Sequence, residues 1–244
     1  MHGYWKSAAL GGLVGAALSL LVVAVVLAFN IVPVASDTRL HSYLMTHPKV
    51  VVEMQALAEA QEAADSAHEE QKAVDKIGSK RFFDPAVAYV AGPATAKNTI
   101  VEFYDYNCGH CRNTAAVVKA YFDKHKTDTR FAFIEFPIFG DASQLAAQAS
   151  VAAHAQADKF PAFHFALLST GAADSASVLE AARTAGLDVN KLTTDLQGGA
   201  AQKAMLAGYR LAREAQFGGT PMFIVNGKVH AGEITEAELK AMLK

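Results

Sequence analysis

The chain of 244 residues contains two cysteines, Cys108 and Cys111, with two residues between them. Two cysteines are too few for a disulfide framework, so this CxxC pattern indicates either redox chemistry or part of a metal site. Zinc usually takes four ligands, and the sequence offers no second CxxC and no HxxxH pair. Copper(I) prefers thiolate ligands and stays as an alternative, although Met205 and Met222 lie far from the pair in sequence.

The residues around the pair favour redox chemistry. Asn98–Tyr104 (NTIVEFY) is β-branched and aromatic, which is typical of a buried strand, and a helix is predicted from the CxxC to about His125. Cys108 is therefore expected near the helix N-cap, where free backbone N–H groups and the helix dipole favour the thiolate. His110 adds partial positive charge and a hydrogen-bond donor there. Cys111, one turn later and less exposed, is placed to resolve a mixed disulfide formed at Cys108.

The segments that must position this pair follow an α/β pattern. Alternating residues predict a second strand, Gly and Pro residues punctuate a long helical block, and Asn-Gly is a strong hairpin signal. The predicted elements after the first helix are a strand Arg130–Phe136, a helical block Ala142–Phe217, strands Met222–Val225 and Val229–His230 around Asn226-Gly227, and a terminal helix Thr235–Leu243.

The run EFYDYNCGHC, followed far downstream by Gly219-Thr220-Pro221 and a hydrophobic strand, resembles the DsbA-like branch of the thioredoxin superfamily. The anchored or oligomeric ScsC-like members are the most similar, because they share an N-terminal helical extension and FPI and FxxFH segments. In this chain the matching segments are Tyr43 to Ile77, Phe136 to Ile138 and Phe160 to His164. The resemblance covers about residues 40–244 and implies a thioredoxin fold with a helical insert at about 141–217.

The resemblance also implies roles for single residues. The cysteine pair becomes the redox centre, with no diffusible cofactor and no metal, and Pro221 becomes a cis-proline that faces it. Thr220, through its backbone, and Gly109 are expected to contact substrate. Glu102 matches a buried acid that relays protons to Cys111, and a charge inside an apolar strand is costly unless it has such a role. The alternative is that Glu102 points to solvent at a sheet end.

In function, the resemblance implies a thiol–disulfide oxidoreductase that forms or exchanges disulfides in exported proteins and passes electrons to a membrane or periplasmic redox partner. The direction stays open between an oxidase and an isomerase or reductase, because the CGHC motif is similar to protein disulfide isomerases as much as to DsbA. The net charge of −2 gives no reason to expect nucleic acid as a partner.

The N-terminal residues 1–36 are predicted to be a membrane anchor. Ser7 to Ser36 contain no charged residue, and Ala8 to Phe29 are almost wholly apolar. A bilayer core of about 30 Å needs about 20 apolar residues, and a signal-peptide h-region has only about 7–15. We therefore expect a single anchor in a bacterial inner membrane with the catalytic domain in the periplasm. The alternative is a soluble periplasmic protein after signal cleavage.

Residues 37–80 are predicted to be a polar linker followed by a helix. His47-Pro48 suggests the start of the helix and Gly78 its end. A thin stripe of small apolar residues leaves two interpretations open, a solvated spacer or an element through which copies of the chain form a homo-oligomer. The thioredoxin-like catalytic domain is then expected at residues 81–244.

Overall fold

In a computed structural model, residue 21 and residues 35–243 are described. The chain divides into two compact units, residues 1–62 and residues 63–244. Apart from Leu21, the predicted membrane segment Ala8 to Phe29 lies outside the described residues. No helix in the described part of the chain is long and apolar enough to cross a bilayer.

Helices and strands make up most of the described chain. The helices are α1 (Ala35–Thr46), α2 (Pro48–Ile77), α3 (Ser79–Phe82), α4 (Gly109–His125), α5 (Asp141–Ala153), α6 (Phe160–Leu168), α7 (Ser175–Thr184), α8 (Val189–Gln197), α9 (Ala200–Glu214) and α10 (Glu236–Met242), with a 3-10 turn at His154–Gln156. The strands are β1 (Tyr89–Ala91), β2 (Asn98–Tyr104), β3 (Thr129–Glu135), β4 (Met222–Val225) and β5 (Lys228–Ala231).

Among the described residues, the strands form one five-stranded sheet in the order β1-β3-β2-β4-β5. Strands β2 and β3 are parallel, and the other neighbouring pairs are antiparallel. Strand β2 lies at the centre, where Glu102 pairs with Phe133 of β3 and with Phe223 of β4. The carboxyl end of this central strand leads directly into the CxxC segment.

The two faces of the sheet carry separate cores because side chains alternate along a strand. Ile100 and Tyr104 pack on one face with both cysteines and with residues of α4 to α8. Val101 and Phe103 pack on the other face with residues of α3 and α9. Glu102 shares the pleat direction of Ile100 and Tyr104, so it points to the face that holds the cysteines.

Most elements near the cysteine pair agree with the predictions from sequence. Strands β2 and β4 have the predicted bounds, and β3 lies one residue earlier than predicted. The terminal helix α10 is one residue shorter at each end, with Thr235 as its N-cap. Three elements were missed: the three-residue strand β1, the short helix α3, and helix α1 in a segment predicted to be a polar linker.

The last turns of α2 belong to the second compact unit and do not form a solvated spacer. Ala73 and Val74 are buried, and Val74 belongs to the core on the second face of the sheet. The Gln71 amide donates to the Gly227 carbonyl at 2.8 Å and accepts from the Val229 N–H at 2.9 Å. These bonds join the end of α2 to the β4–β5 hairpin.

Gly92, directly after β1, sits in a conformation that other residues rarely adopt. Its φ is +85°, and a Cβ built on it would lie 2.0 Å from the Thr129 carbonyl oxygen. Relief of that clash requires movement of the backbone at the start of β3. The position therefore requires glycine for both its φ and its space.

We expect Gly92→Ala to lower the free energy of unfolding by about 2–4 kcal/mol, since it combines overpacking against backbone with left-handed strain. For a chain of this size that lowers Tm by roughly 5–15 °C, measured by circular dichroism on the detergent-solubilised chain. Gly186→Ala is the control, because Gly186 has a φ of +69° and a Cβ built on it would have nothing within 4 Å. Equal losses of Tm in both variants would contradict the role of the close approach.

Candidate thiol active site

A short loop held by Asp105 connects β2 to the cysteine pair. One Asp105 carboxylate oxygen accepts from the Asn107 N–H at 2.8 Å. The other accepts from the N–H groups of Ile138 and Phe139 at 2.7 and 3.1 Å. The Cys108 N–H donates to the Asp105 carbonyl at 3.1 Å. The buried carboxylate thus fixes the backbone that leads into Cys108.

The helical insert holds the same loop from the other side. The Asn107 side chain accepts from the Ala173 N–H at 2.9 Å and donates to the Ala173 carbonyl at 3.3 Å. The Arg112 guanidinium donates to the Tyr106 carbonyl at 3.2 Å, so Arg112 supports the loop from the first turn of α4. Contacts to residues this far downstream could not be predicted from local pattern.

Cys108 is the N-cap of α4, as predicted, with φ −75° and ψ 120°. The first bond of the helix runs from the Arg112 N–H to the Cys108 carbonyl at 3.2 Å. The amides that precede it have no partner within the helix and surround the Cys108 sulfur. In the reduced protein the Cys108 thiol donates to the Thr220 carbonyl at 3.1 Å. The Thr220–Pro221 peptide bond is cis, the geometry that the resemblance implied.

The two thiols have opposite electrostatic surroundings. A hydrogen bond from the Cys111 thiol, helped by the backbone amides of Cys111 and His110, lowers the pKa of Cys108 to about 5. Burial, followed by the hydrogen bond to Cys108, raises the pKa of Cys111 far above its ordinary value. The relative exposures are 1% for Cys108 and 0% for Cys111, so charge rather than exposure separates their chemistry.

His110 lies at the surface and pairs with a residue that the sequence analysis did not identify. Its Nδ1 lies 2.7 Å from Glu233 Oε1, and Asn113 Nδ2 donates to the same oxygen at 2.8 Å. The hydrogen bond with Glu233, and next the charge of Cys108, raise the pKa of His110. His110 was expected to donate a hydrogen bond near Cys108, whereas in the structure its Nδ1 is bonded to Glu233.

Glu102 is buried, with 1% of its surface exposed, so the alternative that it points to solvent is wrong. Neither carboxylate oxygen has a hydrogen-bond partner among the described residues. Burial raises the pKa of Glu102 to about 8, which makes it a neutral acid over much of the physiological range. Its charge, when present, contributes to the raised pKa of Cys111.

A second buried acid, Glu135 at the end of β3, shares this face of the sheet. The Tyr104 hydroxyl donates to Glu135, and the Tyr106 hydroxyl lies 2.8 Å from Ser150 Oγ and 2.9 Å from His164 Nδ1. Burial raises the pKa of Glu135 to about 8 and lowers the pKa of His164 to about 3. All five groups are therefore uncharged near neutral pH, beneath the loop that carries the cysteine pair.

Gly109 and Thr220 border the pair on opposite sides. Gly109 is exposed at the start of α4, and a Cβ built there would have only Arg112 Nη2 nearby, at 3.9 Å. The Thr220 hydroxyl oxygen is buried and lacks a geometric hydrogen-bond partner among the described residues. Across the described ranges, no group of three or more His, Cys, Asp or Glu side chains is arranged to hold a metal ion.

Residues 86–244 match the family model described as Thioredoxin. The chain belongs to the thioredoxin family. Within this family, thioredoxin-fold oxidoreductases of the DsbA type use a redox-active cysteine pair and need no external cofactor. The candidate centre in this thioredoxin-family chain is the Cys108–Cys111 pair.

Solved structures give the same fold. A thioredoxin-like oxidoreductase from Silicibacter pomeroyi DSS-3 is 36% identical, with a TM-score of 0.60 over 66% of this chain and 92% of that one. The thiol-disulfide exchange protein alpha-DsbA2 from Wolbachia pipientis is 24% identical, with a TM-score of 0.64 over 71% and 94% of the two chains. The catalytic domain of Proteus mirabilis ScsC is 22% identical, with a TM-score of 0.62 over 71% and 96%. The resemblance to DsbA-like and ScsC-like proteins is thereby confirmed for the fold.

Curated relatives of the thioredoxin-family chain include Na(+)/H(+) antiporters. The antiporter NhaA of Herminiimonas arsenicoxydans is 26% identical over 164 residues, which are 66% of this chain and 26% of the antiporter. NhaA 3 of Salinispora tropica is 26% identical over 160 residues, which are 24% of its length. The chain thus spans about a quarter of the length of the curated relatives it matches.

The thiol assignment predicts one thiolate that titrates at low pH. We expect the ultraviolet thiolate absorbance of the reduced protein to rise with a midpoint near the Cys108 pKa of about 5. Cys111→Ala should move that midpoint upward, because it removes the largest stabilising hydrogen bond to the thiolate. Cys108→Ser should abolish the step. A low-pH step that persists in Cys108→Ser would show that the charges of the two thiols are assigned the wrong way round.

Glu102 should make stability fall as pH rises. Its pKa is about 8 when folded against 4.5 ordinarily, so between these values the folded chain keeps a proton that the unfolded chain releases. The free energy of unfolding therefore decreases with rising pH in this window. We expect Tm of Glu102→Gln relative to wild type to be higher at pH 8 than at pH 5, measured by calorimetry. Glu180→Gln, at an exposed carboxylate, is the control, and a pH-independent difference for Glu102→Gln would contradict the raised pKa.

Proposed function

We propose that this chain is a protein thiol–disulfide oxidoreductase that acts through Cys108 and Cys111. The observation that supports it best is the division of charge at the start of α4, where Cys108 is stabilised as a thiolate and Cys111 is kept protonated. Thiolates are both the nucleophiles and the leaving groups of disulfide exchange. One low-pKa sulfur beside one high-pKa sulfur is the arrangement that such an exchange requires.

The oxidised enzyme exchanges its disulfide with a substrate dithiol in two attacks. A substrate thiolate attacks the Cys108 sulfur, the Cys108–Cys111 bond breaks, and Cys111 leaves and takes up a proton. A second substrate thiolate attacks the substrate sulfur of the mixed disulfide and releases Cys108 as a thiolate. The substrate dithiol is thus oxidised to a disulfide while the enzyme disulfide is reduced to a dithiol. A partner redox protein of the membrane or periplasm then reoxidises the pair.

Neighbouring residues have defined parts in this proposal. Glu102 is neutral at the operating pH and serves as the proton donor and acceptor for Cys111, since it is the buried acid on the same sheet face. In the free enzyme the Thr220 carbonyl accepts from the Cys108 thiol when that thiol is protonated. Once Cys108 has formed a mixed disulfide, the carbonyl is available to the substrate backbone. Pro221 fixes this carbonyl, and the open surface at Gly109 admits the substrate chain. His110 contributes positive charge at the mouth of the site.

The direction that this proposal favours is disulfide formation. A low pKa stabilises the reduced form and makes Cys108 a good leaving group, and both effects make an enzyme disulfide a better oxidant. Isomerase or reductase activity is the alternative direction for the same motif. Substrates are proposed to be exported proteins with cysteines, because disulfides persist in oxidising compartments.

The proposed location is the periplasmic side of a bacterial inner membrane, with residues 1–36 as the anchor. The support is the charge-free run from Ser7 to Ser36. A soluble periplasmic form after cleavage is the alternative. Domain bounds of 1–36, 37–80 and 81–244, with the insert at 141–217, belong to the same proposal.

We further propose that residues 37–80 carry a homo-oligomer contact. Large apolar side chains are exposed along α1 and the first half of α2, and in water such a surface favours association. Those more than two-fifths exposed are Leu40, Tyr43, Met45, Val51, Val52, Met54 and Leu57. Cross-linked oligomers of the full chain that disappear on polar substitution of Leu40 and Leu57 are the expected result.

The role assignment is tested by trapping. We expect Cys111→Ser to accumulate mixed disulfides with cellular proteins, since Cys108 still attacks but nothing resolves the intermediate. Cys108→Ser should trap none, because the buried, high-pKa Cys111 thiol is a poor nucleophile. Adducts are measured on non-reducing gels after acid quenching and alkylation, with the Cys108→Ser/Cys111→Ser double variant as the control. Equal trapping by the two single variants would falsify the assignment.

A further inference from the structure

Glu233 is a charged residue beside the cysteine pair that the proposed chemistry does not use. It follows β5 and lies 125 positions from Cys108 in the sequence numbering. Its Oε1 contacts His110 Nδ1 at 2.7 Å and accepts from Asn113 Nδ2 at 2.8 Å. A single carboxylate oxygen therefore contacts two side chains of the first turns of α4.

The backbone on both sides of Glu233 is tied to the active site. The Gly232 N–H donates to the Pro221 carbonyl at 2.9 Å. The Ile234 carbonyl accepts from Thr114 Oγ1 at 3.1 Å, and the Ile234 N–H lies 3.3 Å from the same oxygen. Thr114 and Ile234 are buried. The carboxylate is therefore presented to His110 by a fixed turn between the cis-proline loop and α4.

Charged and titratable groups around this contact come from α4 and from β5 with the turn that follows it. Cys108 and Arg112 belong to the start of α4, and the Arg112 guanidinium is bonded to the Tyr106 carbonyl. His230 of β5 places its Nε2 2.9 Å from the Glu233 carbonyl. The His110 side chain is 71% exposed and the Glu233 side chain 44%. His110 is thus a cationic group that two anions affect: Glu233, to which it is bonded, and Cys108, whose charge raises its pKa.

The two anions compete for one imidazolium. The Nδ1–H bonded to Glu233 is not available to the Cys108 sulfur. The carboxylate also keeps His110 protonated, since it raises the pKa of that imidazole. Below the ordinary His pKa of about 6.5 the imidazole is protonated with or without this help. In that pH range Glu233 no longer affects whether His110 is protonated, and it acts only by competing with Cys108 for the imidazolium.

We propose that Glu233 is a positioning residue that holds the His110 imidazolium on its carboxylate rather than on the Cys108 sulfur, and so restrains the oxidising strength of the Cys108–Cys111 pair. This inference rests on the proposed thiol–disulfide function and adds a residue that sets how strongly the cysteine pair oxidises its substrates. Thiolate stabilisation by His110 is then partial in the wild-type chain. Removal of the carboxylate charge releases the imidazolium to the thiolate.

The test compares Glu233→Gln with wild type in the full, detergent-solubilised chain at about pH 6, where His110 is protonated in both. We expect the Cys108 thiolate to titrate at lower pH in Glu233→Gln. We also expect the exchange equilibrium with glutathione to shift about two- to fourfold towards reduced enzyme, as a partly screened charge interaction predicts. Nuclear magnetic resonance should show a lower His110 pKa in the same variant.

Glu236→Gln is the matched control, because Glu236 is an exposed carboxylate a few residues away that pairs with Lys240. It removes the same charge, and we expect no shift in thiolate titration or exchange equilibrium. The effect of Glu233→Gln should also vanish in a His110→Ala background, because the proposed action passes through His110. An effect of equal size in that background overturns the positioning role.

An unchanged or raised Cys108 pKa in Glu233→Gln, with the fall in His110 pKa present, likewise overturns the inference. Failure of the proposed function looks different, because the wild-type chain itself then shows no reversible Cys108–Cys111 couple with glutathione. In that case the titrations of Cys108 and His110 still decide whether Glu233 holds the imidazolium away from the sulfur.

Discussion

The charge difference between two adjacent buried thiols is the constraint on which the site depends. Cys108 and Cys111 lie one helical turn apart, yet one is stabilised as an anion and the other as a neutral thiol. Burial of Cys111 and the hydrogen bond that its thiol donates to Cys108 make most of this difference, and the backbone amides at the helix start add to it. Every segment that fixes the N-cap, including the Asp105 loop and the turn at Thr220, therefore acts on the reactivity of Cys108.

The sheet face beneath the pair supports that difference by staying uncharged. Glu102 and Glu135 both point to this face, and burial raises the pKa of each to about 8. Ionised carboxylates so near the loop would oppose formation of the Cys108 thiolate, because like charges repel strongly in a medium of low dielectric constant. As neutral acids they add no negative charge to this face of the sheet. The same protonation makes Glu102 able to give a proton to Cys111 and take it back.

Local pattern was sufficient to predict the elements that carry the pair. The β-branched run Asn98–Tyr104 and the Asn226-Gly227 hairpin have strong signals because the physics that forms them acts between neighbours in sequence. The N-cap position of Cys108 followed from the same strand and helix bounds. Strand β1 was missed since three residues give no measurable alternation. The burial of Glu102 was implied by the family resemblance, with modest support from the cost of a charge in an apolar strand, and the structure does bury it.

Other parts of the site depend on contacts between segments far apart in sequence, and no local pattern reports them. Glu233 lies in a polar turn where a glutamate is ordinary, and only the sheet order brings that turn to His110. Glu135 ends a strand, where a charged residue usually faces water, but α5 and α6 cover it with Ser150 and His164. Sequence thus pointed to the groups proposed to perform the exchange, whereas the groups that set their charge came from the fold. A motif such as CGHC consequently indicates the reaction class, whereas the oxidising strength of the cysteine pair depends on residues outside the motif.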